Sequence, residues 1–461
     1  MLTMVMDMKK GNPTKLILNF AFPMLIGNIF QQVYNMVDSI VVGRFVGKNA
    51  LAAVGSSFSL MNFITLLIIG LCMGSSIVIS QYFGAEDYEG LKRVVSTSFI
   101  FMFIFTVLLS ILTFLFTKPL LILIKTPVEI LEDSTSYLKI VFAGLIFTFL
   151  YNAIASLLRA LGDSKTSLYF LVIACIINIV LDLVFVLNFK MGVAGVAYAT
   201  VIAQAIASIL SLIYAFSKVP ILRMKKKEFV FDRTIFPVIA KYSFLTSIQQ
   251  SIMSIGMVAV QGLVNTFGAD VIAAFTAAGK VDSLAYLPVQ DFGNAFSTYV
   301  AQNVGAGKKE RVHEGVKSAI KIIIVFCIIS SILILMSSEY LMKIFVDSSE
   351  VKVIETGIEY ISVVGIFYML IGFLFMFYGF FRGVGNLTMS VVLTIVSLGT
   401  RVLMAYSLSS ISYIGQKGIW WSIPIGWLLA DILGFITYKK GKWQNNIINL
   451  KDKITEEKEC M

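Results

Sequence analysis

Apolar residues in this chain gather into long runs separated by short polar stretches, without the strict alternation of a strand. Each run is near the roughly 20 residues that a helix needs to cross a bilayer. Twelve can be counted, over residues 16–42, 50–82, 92–117, 132–159, 165–188, 193–217, 235–265, 271–303, 314–337, 354–381, 387–409 and 418–438. A transmembrane β-barrel is excluded, because its strands read as alternating segments of about ten residues. The pattern predicts an all-α integral membrane protein with twelve transmembrane helices.

The runs are not independent. Gln81-Tyr82-Phe83-Gly84-Ala85 returns 221 residues later as Gln302-Asn303-Val304-Gly305-Ala306. The same offset carries Gly47 onto Gly268 and Ala52-Ala53 onto Ala273-Ala274, and an offset of 223 carries Arg159, Gly162 and Asp163 onto Arg382, Gly385 and Asn386. A polar, basic seam with Pro220, Arg223 and Lys225-Lys226-Lys227 divides six runs from six. The reading is two pseudo-symmetric six-helix lobes, residues 1–217 and 235–438, joined by a cytoplasmic linker over 218–234 and followed by a mobile cytoplasmic tail over 439–461. Six spans per lobe make the repeats parallel, an arrangement secondary transporters use to build a site at the repeat interface. Gly162 and Gly385 suit left-handed helix C-caps. Arg159 and Arg382 before them are expected to face the helix dipole and lipid phosphates.

Composition agrees with a membrane protein. Hydrophobic residues make up 58% and charged residues 14%, too little charge to cover a soluble surface of this size. The net charge of +10 invites a nucleic-acid partner, but its distribution argues otherwise. With the N-terminus inside, 26 of the 37 Lys and Arg fall on the inner side, eight outside and three within spans (Lys139, Lys280, Arg401). That is the positive-inside bias, and it predicts both termini in the cytoplasm. Pro13 and Lys15 lead straight into a full-length span, so the first helix is expected to be retained. Cys72, Cys175, Cys327 and Cys460 lack CxxC spacing and read as small hydrophobes rather than metal ligands. His313, the single histidine, reads as a solvated loop residue.

Ionisable groups at membrane depth are costly and stand as functional candidates. In the first span Gln31, Tyr34, Asn35 and Asp38 interrupt an apolar helix, and Tyr34 and Asp38 share a face at i, i+4. In the fifth span Asn178 and Asp182 repeat that spacing, and the sixth span offers Thr200. All three spans place these groups about 8–12 Å below the outer boundary at 1.5 Å per residue. Burial disfavours a charged carboxylate and a second carboxylate nearby disfavours it further, so such a pair can hold a proton. It can instead hold Na⁺, with Asn178 and Thr200 as neutral oxygen ligands; proton chemistry needs fewer organised oxygens and is favoured. A competing reading ties Asp38 to Arg44 at the boundary. Pro23 is expected to break and kink the first span. Pro288 and Pro424 are placed to do the same in the eighth and twelfth spans. The second half lacks matching acids. It carries Lys280, Asp282 and Asp291 in the eighth span, Arg401 in the eleventh and Asp431 in the twelfth, where a structural pair such as Arg401 with Asp431 is weighed against a site.

These motifs together resemble the multidrug and toxic compound extrusion (MATE) transporters. The resemblance rests on Tyr34-Asn35-Met36-Val37-Asp38, Gly43 to Gly47, Gln81 to Ala85, Arg159 to Asp163 and Gly192-Val193-Ala194-Gly195, and it covers nearly the whole chain. It implies two six-helix lobes around a central cleft and ion-coupled antiport of amphipathic, often cationic compounds. Within the family the chain is most similar to the DinF-like branch. That likeness places the kink at Pro23 and the cation-coupling site at Tyr34, Asp38, Asn178, Asp182 and Thr200. Gln31, Asn35, Asn152 and Gln204 are candidate substrate contacts in the cleft.

The expected function is therefore export of small amphipathic compounds across a prokaryotic inner membrane by a monomeric carrier. H⁺ or Na⁺ is the coupling ion, and neither a cofactor nor a bound metal is expected. A flippase for lipid-linked oligosaccharides is the alternative, held back because only three cationic residues lie in spans. A membrane enzyme finds no support, since one histidine and scattered cysteines build neither a metal site nor a nucleophile–base pair.

Overall fold

The computed structural model describes residues 6–441 together with Trp443 and Gln444. Fourteen α-helices run through them: α1 (Pro13–Val41), α2 (Lys48–Gly84), α3 (Tyr88–Leu123), α4 (Val128–Ala143), α5 (Leu145–Ala160), α6 (Ser164–Leu183), α7 (Gly192–Lys218), α8 (Phe236–Val264), α9 (Ala269–Gly305), α10 (Lys309–Phe345), α11 (Val351–Gly365), α12 (Tyr368–Gly383), α13 (Leu387–Ser409) and α14 (Lys417–Lys439). α1 and α6 each continue into a five-residue π-helical turn, Val42–Val46 and Val184–Asn188. The expected tail and Cys460 lie outside the described residues beyond Gln444.

The repeat seen in the sequence is a repeat of helices. α2 and α9 are both 37 residues long and start and end 221 residues apart, each opening on a glycine of positive φ, Gly47 at 123° and Gly268 at 91°. α5 and α12, 16 residues each, are 223 apart at both ends. After them Gly162 and Gly385 take φ of 96° and 78°, the left-handed conformation expected of them. Asp163 and Asn386 then cap α6 and α13, accepting from Thr166 N at 2.9 Å and Met389 N at 3.3 Å.

By length and composition nine helices among the described residues can cross a membrane, or eleven when two bent pairs each count as one span. The expected fourth span is α4 and α5, bent by 48°, and the tenth is α11 and α12, bent by 54°. α9 is the remaining expected span; Lys280, Asp282 and Asp291 lower its apolarity, although its length matches α2. Each bend frees a carbonyl that lipid cannot satisfy, and in each case a serine one helix earlier supplies the donor. Ser110 Oγ donates to Phe142 O at 2.6 Å and Ser331 Oγ to Gly365 O at 2.7 Å. α1 runs through Pro23 as one helix. Pro288 and Pro424 likewise lie inside unbroken α9 and α14, where neighbouring structure tolerates the missing donor.

The chain divides into two compact units. One contains residues 22–247, the other residues 8–21 and those from 248 onward. The first has its core around Ile68 and Leu71 of α2, Phe142 of α4, Phe149 of α5 and Val196 of α7. The linker is folded onto the start of α3: Ser96 Oγ donates to Val230 O at 2.9 Å, Asp232 N donates to Thr97 Oγ1 at 3.0 Å, and Lys92 pairs with Glu228 at 3.1 Å. In the second unit α9 and α12 approach backbone to backbone over Gly293, Gly379 and Gly383. Gln302 and Asn303 of the repeated motif hold the N-terminal segment there, accepting from Met8 N and donating to Met8 O at 3.2 Å each.

Three expectations are corrected. Arg382 is buried and bonds Asn294 Oδ1 at 3.0 Å and Tyr378 O at 3.1 Å, because its stem folds back along α12, so it does not reach lipid phosphates. His313 is not a solvated loop residue. It lies in α10, where Nδ1 meets Tyr438 Oη at 3.0 Å and its ring packs on Trp443 at 5.1 Å. Arg401 is not paired with Asp431, whose two carboxylate oxygens have no partner.

Candidate ion-coupling site

Three helices of the first unit assemble the expected residues. Asp38 sits four residues before the π turn that ends α1, and Asp182 two residues before the one that ends α6. π-helical turns inside or after helices recur at functional sites, since the extra residue re-aims side chains. α7 starts between these ends on small residues. Gly195 leaves room for Phe185, whose Cβ lies 3.1 Å from where a side chain on Gly195 would begin, and Gly192 stands similarly beside Val46.

Asp182 is fully buried, Asn178 nearly so, and Asp38 half-buried. The two carboxyl groups face one another within hydrogen-bonding reach. Asn178 Nδ2 donates to Thr200 Oγ1 at 3.4 Å, and Thr200 Oγ1 donates to Val196 O at 3.1 Å. This leaves Asp38 Oδ1, both oxygens of Asp182 and Asn178 Oδ1 buried with no donor from the protein. Tyr34 stands close enough to feel both acids, together with Tyr137 of α4 and Cys175 of α6. Arg44 is exposed on its π turn, so Asp38 has Asp182 rather than Arg44 as its neighbour.

Of the remaining candidates, Gln204 lies one turn along α7 from Thr200 with its Oε1 buried and unpaired. Gln31 is exposed on α1, Asn35 is half-buried, and Asn152 spends its amide on Thr148 O of its own helix at 2.8 Å. Sequence reasoning missed Tyr137 and Cys175. Cys175 carried a signal, being one turn before Asn178 and two before Asp182 on the same face of α6; Tyr137 carried none.

The MatE family model matches residues 23–184 and again residues 243–407, once in each half. The chain belongs to the MatE family. That places it among transporters, not enzymes, with the multi-pass fold of twelve spans. The probable multidrug resistance protein YpnP of Bacillus subtilis is 30% identical over 442 residues, covering 95% of this chain and 97% of that protein. A solved MATE family transporter of the MOP superfamily, described as a multidrug resistance protein in an outward-facing conformation, superposes with a TM-score of 0.88 at 28% identity, covering 96% of this chain and 98% of that one. A MOP superfamily transporter from Pyrococcus furiosus, described as having a binding pocket of reverse polarity that suggests a different function, gives 0.88 at 27% identity over 96% and 98% of the two chains.

In the second unit of this MatE protein the ionisable groups fall out differently from the first. Both carboxylate oxygens of Asp431 on α14 are buried without a partner. Arg401 instead has Asp282 of α9 as its acidic neighbour, with Tyr360 and Tyr286. The reason is geometric: Arg401 and Asp431 are on adjacent helices, but facing is set by rotation about each axis, which charge pattern alone does not report. Lys280 is exposed and lies over the Phe345 ring at 5.6 Å, Lys139 lies over Phe114 at 5.6 Å, and Asp291 is buried.

Proposed function

We propose that this MatE protein is a cation-coupled antiporter, with H⁺ as the favoured ion. It exports amphipathic, often cationic compounds from a prokaryotic cell across the inner membrane by alternating access, as a monomer with both termini in the cytoplasm. The observation that carries the reading is the cluster of four donorless oxygens on Asp38, Asp182 and Asn178. Ionised carboxylates only accept hydrogen bonds, so two of them in bonding reach require a cation between them. With a proton shared, the pair bonds and carries one negative charge; without it, two like charges repel in a poorly solvated site. An ion whose binding so changes the interaction between α1 and α6 biases one conformation over another, which is the condition for coupling. Asn178 and Thr200 order the pair, while Tyr34 and Tyr137 form its wall.

Pro23 removes one hydrogen bond from α1, making that helix the candidate moving part. MATE structures have been described in a straight and in a bent conformation. Relatives bear the names multidrug resistance and multidrug export protein, which supports a broad substrate range. Gln31, Asn35 and Gln204 are the substrate contacts we favour.

Asp38→Asn is expected to abolish ethidium efflux from cells at unchanged membrane expression. Unimpaired efflux would remove Asp38 from the coupling site. Replacing Na⁺ by choline at fixed pH separates the ions: transport persists if H⁺ couples and collapses if Na⁺ does.

A further inference from the structure

A cavity of about 310 Å³ lies inside the second unit, lined by α8, α9, α11, α12, α13 and α14. Its aromatic wall is built in advance. Phe275 stacks on Trp420 at 5.6 Å and 10°, Tyr360 meets these two rings edge-on at 5.6 and 5.1 Å, and Tyr286 meets Phe375 edge-on at 5.2 Å. Such contacts fix ring positions before any ligand arrives.

Two charged side chains enter this apolar space, Arg401 from α13 and Asp282 from α9. A guanidinium has five N–H donors and keeps its charge in proteins. Arg401 forms no hydrogen bond to a protein acceptor among the described residues, and its Nε is buried without a partner. Asp282 Oδ1 is buried without a partner as well, with the Tyr360 and Tyr368 hydroxyls and the Arg401 guanidinium as the polar neighbours of that carboxylate. The stem of Arg401 is clamped from below, where Gly426 of α14 brings its backbone against Ser397 O and the Arg401 Cβ. Arg401 and Asp282 are neighbouring opposite charges, yet a donor of the one and an acceptor of the other stay open, and such buried groups are costly until a ligand fills them. A carboxylate matches the planar fork of one guanidinium. A dianionic phosphate would leave one charge uncompensated beside Asp282. Asp282 in turn accepts from an ammonium or other donor elsewhere on the ligand.

We infer that this cavity binds an aromatic amphoteric compound, with its carboxylate on Arg401, its ammonium on Asp282 and its ring against the wall of Phe275, Tyr360 and Tyr286. The site is separate from the ion-coupling residues, and it rests on the export reading only in that its ligand would be cargo.

Three probes test it on the purified full chain. ε-Dansyl-lysine is a zwitterion, its methyl ester a cation and its α-N-acetyl derivative an anion, all with one ring system. Energy transfer from Trp420 and Trp427 to the dansyl group reads binding. The zwitterion is expected to bind tightest. Arg401→Gln should weaken the zwitterion and the acetyl derivative by about tenfold or more, the worth of one charge-assisted bond, and spare the ester. Asp282→Asn should weaken the zwitterion and the ester and spare the acetyl derivative. Gly279→Leu adds bulk to the cavity lining where a Cβ meets nothing within 4 Å, and should weaken all three probes even if Arg401→Gln fails to fold. Equal affinity of the three probes for the unsubstituted protein, or indifference of the zwitterion to either Arg401→Gln or Gly279→Leu, overturns the assignment. Asp38→Asn keeps the binding pattern while losing dye efflux. A failure of that efflux prediction with the pattern intact counts against the coupling site alone, and the converse counts against this cavity alone.

Discussion

Gly293→Ala gives the sharpest test of how the second unit is held together. A Cβ at Gly293 would stand 2.6 Å from Phe375 O, about 0.8 Å short of ordinary contact at 3.4 Å. The atom in the way is helix backbone, so no rotamer change relieves the clash and α9 and α12 must separate. Small residues at membrane helix interfaces exist to allow such approach. Gly383, further along the same seam, would meet Val300 Cβ at 2.6 Å and Ser297 O at 2.8 Å, so the seam is tight over more than two turns. Overpacking of this kind costs about 1–3 kcal/mol, while alanine returns up to about 1 kcal/mol of helix propensity. The net expectation is a loss of about 1–2 kcal/mol. Gly279→Ala, on the same helix with nothing within 4 Å of its Cβ, should instead gain about 0.5–1 kcal/mol. Thermal unfolding of both variants in one detergent at one scan rate measures the gap. A midpoint for Gly293→Ala at or above that of Gly279→Ala would refute the packing argument.

Two further outcomes follow from the bends and the linker. Ser110→Ala and Ser331→Ala each leave a buried carbonyl without its donor, so each should lower stability by about 1–3 kcal/mol in the same unfolding assay, and by similar amounts if the two bends are equivalent. The Lys225 backbone amide and the Lys92 ammonium hold the half-buried Glu228 carboxyl below its ordinary 4.5. A group lowered in the folded state stabilises above its unfolded value and loses that contribution as pH falls through the folded one. Hydrogen exchange of linker amides, corrected for intrinsic rate, should therefore rise below 4.5 in the unsubstituted protein and show no such step in Glu228→Gln.

The helices were legible because a bilayer leaves the backbone few options, and their repetition was legible because the offsets of 221 and 223 recur in several motifs. The same offsets contained what was missed. Ser110 falls on Ser331 and Phe142 on Gly365, the donors and acceptors of the two bends, yet a serine in an apolar run carries no signal of its own. The prolines, which do carry one, turned out to sit in unbroken helices. α9 was read as one of the apolar runs, although Lys280, Asp282 and Asp291 lower its apolarity; of these, Asp282 and Asp291 are interior and Lys280 is exposed. In the site, the depth and helical spacing of Asp38, Asn178, Asp182 and Thr200 could be read from the chain. That the acids face each other, and that Tyr137 stands beside them, depends on helix rotation and on α4, which no local pattern encodes.

The same limit explains the misplaced partner of Arg401 and what its true surroundings mean. Two copies of one scaffold present different electrostatic needs. The first unit gathers acceptor oxygens with no donor, a deficit that a proton or another cation fills. In the second, a guanidinium with an open donor stands beside Asp282 with an open acceptor, so that space suits a ligand carrying both charges. Backbone geometry is what duplication preserves, because bends, caps and glycine seams fail together if one is lost. Side chains that line interior space are free to diverge, and each divergence changes what that space can hold. A carrier built this way can keep ion chemistry in one copy and adapt the other to its cargo. The corollary is that cargo preference should follow Arg401 and Asp282 while ion dependence follows Asp38 and Asp182, and substitutions in one set should leave the other property in place.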